Sequence, residues 1–348
     1  MKKLVSKLRR TKQPEEPAGR ITTDTLAEHR EQVLAGGRKF KYPVQYHRHK
    51  LVLNATLISV AALALLIGMG WYLLYAAQNS SEFIYRVTKV VPVPVAVVDG
   101  EQVRYSDFLM KYRGNKHYLV EKEQIDIRSD DGKSQLAYVK SQAMNDAIAD
   151  AYAVKLAREL DITVSEADIE VLLKQQRQLS DGEVSEATYN ASISDYYGWS
   201  PEEYREAMKS KILRQKVAYA TDTTASKLSE TIAQKLKAGS GDVQSIAAEL
   251  NAATADAVQY MGATWVPKTN QDGGLAVAAA SLQKGQVSSA IKNITGDGYY
   301  FVKLIDSNDS QVQYEYIRVP LTAFAAKLQK VKDDNKLTQL IKIDNLAE

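Results

Sequence analysis

The chain has 348 residues, 45% of them hydrophobic and 25% charged, with a net charge of +3. These are ordinary globular proportions, which exclude collagenous, mucin-like and wholly disordered classes. Cysteine is absent, so disulfides, thiolate metal sites, a thiol nucleophile and lipoprotein acylation are excluded as well.

Charge is unevenly placed. Residues 1–50 carry thirteen Lys/Arg against five Asp/Glu, a net of +8, which leaves the remaining chain at −5. An acidic body behind a basic leader argues against nucleic acid as a partner. The opening MKKLVSKLRR can lie on anionic headgroups, although a purely topogenic role also accounts for it.

Leu51 to Ala77 then runs for 27 residues without a charge. About 20 apolar residues span a hydrocarbon core of roughly 30 Å, so a transmembrane helix is expected over 51–77. Its length, and the fifty residues before it, distinguish it from a cleaved signal peptide. Trp71, Tyr72 and Tyr75 lie near its far end, as interfacial rings do. The near flank holds Arg38, Lys39, Lys41, Arg48 and Lys50, and the far flank begins Gln78-Asn-Ser-Ser-Glu82. The positive-inside rule therefore predicts an uncleaved signal anchor in the cell membrane. Residues 1–50 form a basic cytoplasmic tail and residues 78–348 an extracytoplasmic part.

A linker is expected over 78–94. Val95, Val97 and Val98 favour a strand, and Asp99-Gly100 predicts a two-residue hairpin. Ser106 reads as the N-cap of a helix through Phe108, Leu109 and Tyr112. A long helix is predicted from Gln135 to Leu160, with Ala143, Ala147, Ile148, Ala151, Tyr152 and Leu156 on its apolar face. Ser165 with Asp168 starts the next helix, and Ser200-Pro201-Glu202-Glu203 a third, with proline at N1 and the acid at N3. Residues 95–221 thus read as a helical domain seeded by one hairpin.

Residues 222–321 alternate instead. Helices are predicted over Ser226–Lys237, Val243–Leu250 and Leu275–Leu282, and strands over Ala257–Met261, Tyr299–Ile305 and Gln313–Val319. Gly239-Ser-Gly, Asp272-Gly-Gly and Gly296-Asp-Gly mark turns, so this is an α+β domain. A C-terminal helix is expected over 322–348, with Phe324, Leu328, Val331 and Leu340 as its stripe. The fold class is a single transmembrane helix followed by an α+β ectodomain.

Ala96-Val-Val-Asp-Gly-Glu-Gln-Val, followed by NDAIADAYAVKLARELDITVSEADIE and WSPEEYREAMKSKILRQKVAY, resembles the N-terminal chaperone module of SurA-, PrsA- and PpiD-type foldases. That resemblance implies unfolded or nascent exported polypeptides as partners. In such foldases a parvulin-type prolyl isomerase domain usually follows, and residues 222–321 resemble a degenerate one. The resemblance rests on Ile232-Ala-Gln-Lys-Leu-Lys-Ala-Gly, Ile246-Ala-Ala-Glu-Leu, Tyr260-Met-Gly, Leu282-Gln-Lys-Gly-Gln-Val-Ser and Gly298-Tyr-Tyr-Phe-Val-Lys-Leu.

Two departures stand out. The opening strand of the parvulin pattern is missing after Ala220, and Tyr314-Glu-Tyr-Ile-Arg-Val is a candidate to replace it in circularly permuted order. Parvulin sites also use two histidines, whereas His29, His47, His49 and His117 all lie outside this domain. The resemblance places Tyr300 and Tyr316 at the histidine positions and Thr295 at the hydroxyl. It implies a substrate surface of Trp265, Leu275, Tyr300 and Tyr316, to which Trp199 and Tyr204 add aromatic area.

No cofactor or metal site is expected. The expected function is a membrane-anchored extracytoplasmic chaperone with weak or lost prolyl isomerase activity. The alternatives are an active isomerase working through Tyr300, Tyr316 and Thr295, and a tethered subunit of a secretion or envelope complex. The tyrosines around Trp199 fit either a sticky surface for unfolded chains or an ordinary half-buried core.

Overall fold

A computed structural model describes residues 22–41, 43–179, 182–239, 242–293 and 296–343. The basic start at residues 1–21 lies outside them. The chain divides at Tyr72/Leu73 into two units.

The first unit consists of α1 (Thr23–Lys41) and α2 (Pro43–Trp71). The stretch Lys50–Ala76 has a mean hydropathy of 2.3 and is long and apolar enough to cross a membrane. From Leu51 to Tyr72 its large apolar side chains are exposed, as at Leu53, Leu57 and Leu65. Thr56 Oγ1 donates to Val52 O at 2.9 Å, so this hydroxyl is satisfied within the helix.

The second unit is mainly helical, with a smaller sheet part. It opens with α3 (Glu82–Val90), capped by Ser81, inside a stretch that the sequence presents as a linker. Next come β1 (Pro94–Val98) and β2 (Glu101–Arg104), paired so that Val98 faces Glu101. The two turn residues between them, Asp99 and Gly100, both take positive φ, 47° and 83°. That is the conformation for which Asp-Gly is suited.

Helix α4 (Tyr105–His117) begins one residue before the expected cap. Ser106 lies inside its first turn and Arg104 holds the cap position without a side-chain bond. Tyr105 sets this start: its ring is fully buried, its N–H donates to Val93 O at 2.8 Å, and its hydroxyl donates to Leu74 O at 2.7 Å. Helix α5 (Asp130–Glu159) starts five residues before the predicted Gln135, because Ser129 accepts from Gly132 N. Helix α6 (Glu166–Gln176) and α8 (Pro201–Thr221) both carry complete capping boxes, at Ser165/Asp168 and Ser200/Glu203. Between them lie a two-residue ribbon, β3 (Gln178–Leu179) with β4 (Gly182–Glu183), and α7 (Glu186–Tyr197).

The α+β part holds α9 (Thr223–Lys237), α10 (Val243–Ala253), β5 (Gln259–Pro267), α11 (Leu275–Ala280), β6 (Ile291–Lys292), β7 (Gly298–Ser307) and β8 (Gln311–Pro320). Its sheet runs in the order β5-β8-β7-β6 and every pairing is antiparallel. Strand β5 starts later and runs further than Ala257–Met261, because the Asn251 amide bonds both Val258 N and Val258 O and fixes them at the end of α10. One sheet face packs Phe301, Ile317 and Val319 against Ile232, Val243 and Ile246 of α9 and α10. The other packs Tyr300, Val302, Leu304, Val312 and Tyr314 against Leu275, Ala276 and Ala279 of α11. Fully burying one such aliphatic side chain is worth about 1.5–3 kcal/mol.

The tail returns to the helical part. Helix α12 (Ala323–Asp333) places Phe324 against Tyr152 of α5, ring centroids 5.8 Å apart. The expected helix does not continue to Leu340. Asn335 takes φ 56°, and the chain turns into β9 (Leu337–Gln339), which pairs with β1 through Val98↔Leu337 and Ala96↔Gln339. An N–H ladder on the open edge of β1 offers more to this segment than a frayed helical end does. The core of the helical part therefore joins Val95, Val98, Phe108, Leu109, Met144 and Ile148 with Val331 and Ile341 of the tail.

Candidate functional site

Two places bring chemistry-bearing side chains together. The first is the α11 face of the four-stranded sheet. Antiparallel register sets Tyr300 opposite Arg318 and Val302 opposite Tyr316, so Tyr300 and Tyr316 are diagonal neighbours on one face. Their ring centroids are 5.4 Å apart, and Tyr314 lies 6.2 Å beyond Tyr316.

Each end of this tyrosine row is held by a carboxylate. Tyr300 Oη donates to Asp297 Oδ2 at 2.9 Å, and Arg318 Nη2 approaches the same oxygen at 3.0 Å. Tyr314 Oη donates to Asp272 Oδ2 at 2.6 Å, while Asp272 also accepts Ala276 N in the first turn of α11. Burial, then the carboxylate partner, pushes both phenols well above the usual tyrosine range. These hydroxyls stay protonated and committed as donors. Gly273 backs the arrangement with φ 74°, in a place where a Cβ would meet the Asn293 side chain.

Leu275 lies under the same face, 3% exposed. Trp265 does not join it: its neighbour Val266 packs into the α11 side, and strand alternation turns Trp265 to the opposite face, 42% exposed. Thr295 lies outside the described residues. Tyr314, expected only as the start of the candidate permuted strand, belongs to the row as well. Its i, i+2 spacing from Tyr316 was the available signal.

The second place is an open cleft of about 330 Å³ in the helical part, where α3, α4 and the α7–α8 turn meet. Trp199 closes one wall. Its Nε1 donates to Met110 O at 3.0 Å, and its ring stacks on Tyr197 at 5.1 Å. Gly114 makes that seat possible, since a Cβ there would stand 2.7 Å from Trp199 Nε1. Gly198 takes the left-handed conformation at the end of α7, and His117 Nε2 lies 3.0 Å from Asp195 O.

The opposite wall is basic over aromatic. Arg113 pairs with Glu82 and lies 4.8 Å over the Tyr85 ring, a cation–π arrangement. Tyr85 is 2% exposed, and burial, then Glu203, pushes its phenol far up. Lys116, His117 and Val120 complete the lining. Such a cleft can take an apolar or aromatic side chain and still meet a nearby carboxylate.

Trp199 thus lines the cleft, and Tyr204 stands 6.4 Å behind it. Tyr204 is a core post: it is buried and hydrogen-bonded to Tyr189 at 2.7 Å. The sequence does not mark Tyr85, because Glu82–Val90 reads there as a connector, nor Arg113 and His117, which stand on α4 as isolated polar residues. Among the described residues no group of three or more His, Asp or Glu side chains is arranged to hold a metal.

A family profile described as the SurA-like N-terminal domain matches residues 44–218, just over half of the chain. No curated protein matches the chain. Among solved structures, a chain from work on PEB4 and Cj1289, described as two structurally related SurA-like chaperones of Campylobacter jejuni, is 12% identical. The match covers 70% of this chain and 94% of that one, with a TM-score of 0.27. The extent of the family match decides membership: this chain belongs to the SurA-like N-terminal domain family, which points to a chaperone-type function.

Proposed function

We propose that this protein is a chaperone anchored in the cell membrane through residues 51–77, with an extracytoplasmic body that holds newly translocated, unfolded polypeptides. The SurA-like domain over residues 44–218 carries this reading. The aromatic and basic cleft at Trp199, Tyr197, Tyr85 and Arg113 adds a surface suited to irregular clients. The anchor rests on one uncharged run of membrane-spanning length and on the basic flank before it.

Residues 222–321 are a parvulin-like domain inserted between the helical part and its own tail. Support comes from β8, which follows β7 by a short hairpin and lies between β7 and β5. A neighbour of the closing strand, delivered late in the chain, fits a circularly permuted order. The domain is weak or inactive as a prolyl isomerase, because Tyr300 and Tyr314 commit their hydroxyls to Asp297 and Asp272. Hydroxyls already committed to carboxylates supply little preorganised stabilisation to a twisting amide.

The test is light scattering from a chemically unfolded client diluted into nanodiscs carrying the full chain. Suppression near equimolar chaperone is expected. Scattering equal to that with empty nanodiscs rejects the chaperone.

A further inference from the structure

The two edges of the four-stranded sheet are built differently. Strand β6, at one edge, pairs through only two residues, Ile291 and Lys292. Strand β5, at the other, is nine residues long and has no charged side chain in Gln259–Pro267. Edge strands are usually guarded by lysines, proline, short length or a bulge. Here the guards are a bulge between Met261 and Thr264 and the terminal Pro267. The five residues Met261–Trp265 are all exposed.

We propose that the open edge of β5 is a docking strand for an extended polypeptide segment, which adds to the sheet as a further strand. The proposal rests on the chaperone reading and specifies the form in which a client is held.

In an antiparallel sheet half of an edge strand's backbone N–H and C=O groups point away from its neighbour. Their complement is another extended backbone of almost any sequence. The side chains nearest such a strand are also suited to it. Met261, 52% exposed, lies opposite Tyr316 on the tyrosine face, and Trp265 offers an exposed ring on the other face. Alternate side chains of a bound segment therefore meet an apolar surface on both sides. The bulge divides the edge into Gln259–Met261 and Thr264–Val266, so two short arms pair with the client. Binding through them is weak and tolerant of sequence.

The test uses the detergent-solubilised full chain and a short rhodamine-labelled peptide alternating threonine and valine, with uncharged serine ends. The second probe is the same peptide N-methylated at every internal amide, which removes its backbone donors and keeps its side chains. The expected result is saturable binding that N-methylation weakens at least about tenfold, the loss of several net hydrogen bonds. Met261→Lys with Trp265→Lys should weaken it similarly while the chain still unfolds cooperatively, because neither side chain belongs to a core cluster.

Equal binding of the two peptides overturns the proposal, as does undiminished binding to the lysine variant, which places the contact elsewhere. A concentration-dependent dimer that the lysine variant dissolves, without peptide binding, assigns the edge to a second copy and also overturns it. Should the variant misfold, the peptide pair on the unaltered chain still decides. Client aggregation measured on the same preparation separates the two readings. Suppression without a backbone effect removes only the edge, and absent suppression removes the chaperone.

Discussion

Asp222 accepts from the backbone of Thr322, one hundred residues later, with Oδ2 2.7 Å from Thr322 N. The same oxygen takes Ala323 N at 2.9 Å, and Oδ1 takes Ala225 N at 2.9 Å. One buried carboxylate therefore caps α9 and α12 together. It closes the α+β segment where the chain enters and leaves it, so that α12 and β9 return to the helical core in fixed register.

Replacing Asp222 with alanine should therefore cost more than one helix cap. A cap is worth about 1 kcal/mol, and each buried donor left unpaired about 1–3 kcal/mol. A loss of about 2–4 kcal/mol is expected in denaturant unfolding. Asp222→Asn should recover part of it, since one amide oxygen can still accept. A loss under about 0.5 kcal/mol, the scale of an unimportant surface change, would contradict the double cap.

Gly114→Ala probes the cleft. The new Cβ falls 2.7 Å from Trp199 Nε1, on a helix whose backbone cannot move freely. Displacing the indole should destabilise the fold by about 1–3 kcal/mol and shift Trp199 emission. In a variant with Trp71 and Trp265 replaced by phenylalanine, an unshifted Trp199 spectrum would show that the seat is looser than drawn.

Alkaline titration reports on the sheet. Tyr260 Oη donates to Glu315 at 2.7 Å, and that carboxylate, then burial, raises its phenol from 10.0 to about 12. A raised folded value means the stabilisation is complete below pH 10 and is lost as pH rises toward 12. The melting-temperature advantage of the unaltered chain over Tyr260→Phe should be constant up to pH 10 and shrink above it. An advantage that grows with pH in that window would reverse the assignment.

Much of this was readable in advance. Asp99-Gly100, Ser165 with Asp168, and Ser200-Pro201 with Glu203 each specify a local geometry, and each is found as predicted. Local signals failed where a distant partner decides the outcome. Leu340 lies past the end of α12 because β1 offers an edge 245 residues away in sequence, where Leu340 N donates to Val95 O. Helix α3 was missed because nine residues hold too little period, and its register is set by burying Ile84 and Tyr85. At the candidate sites the tyrosines could be read, but their carboxylate partners could not. Asp272 and Asp297 read as turn residues, and only the folded sheet turns them toward Tyr314 and Tyr300.

Prolyl isomerisation of a peptide panel should run at the uncatalysed rate with the full chain, and Tyr300→Ala should leave it unchanged. Acceleration that disappears in Tyr300→Ala would make the tyrosine row a working site.

The most direct measurement compares one labelled client in two forms, permanently unfolded and native, binding to the full chain in nanodiscs. The account predicts saturable binding of the unfolded form, weakened by Trp199→Ser, and none of the native form. Equal affinity for both forms, or no affinity for the unfolded one, would contradict it.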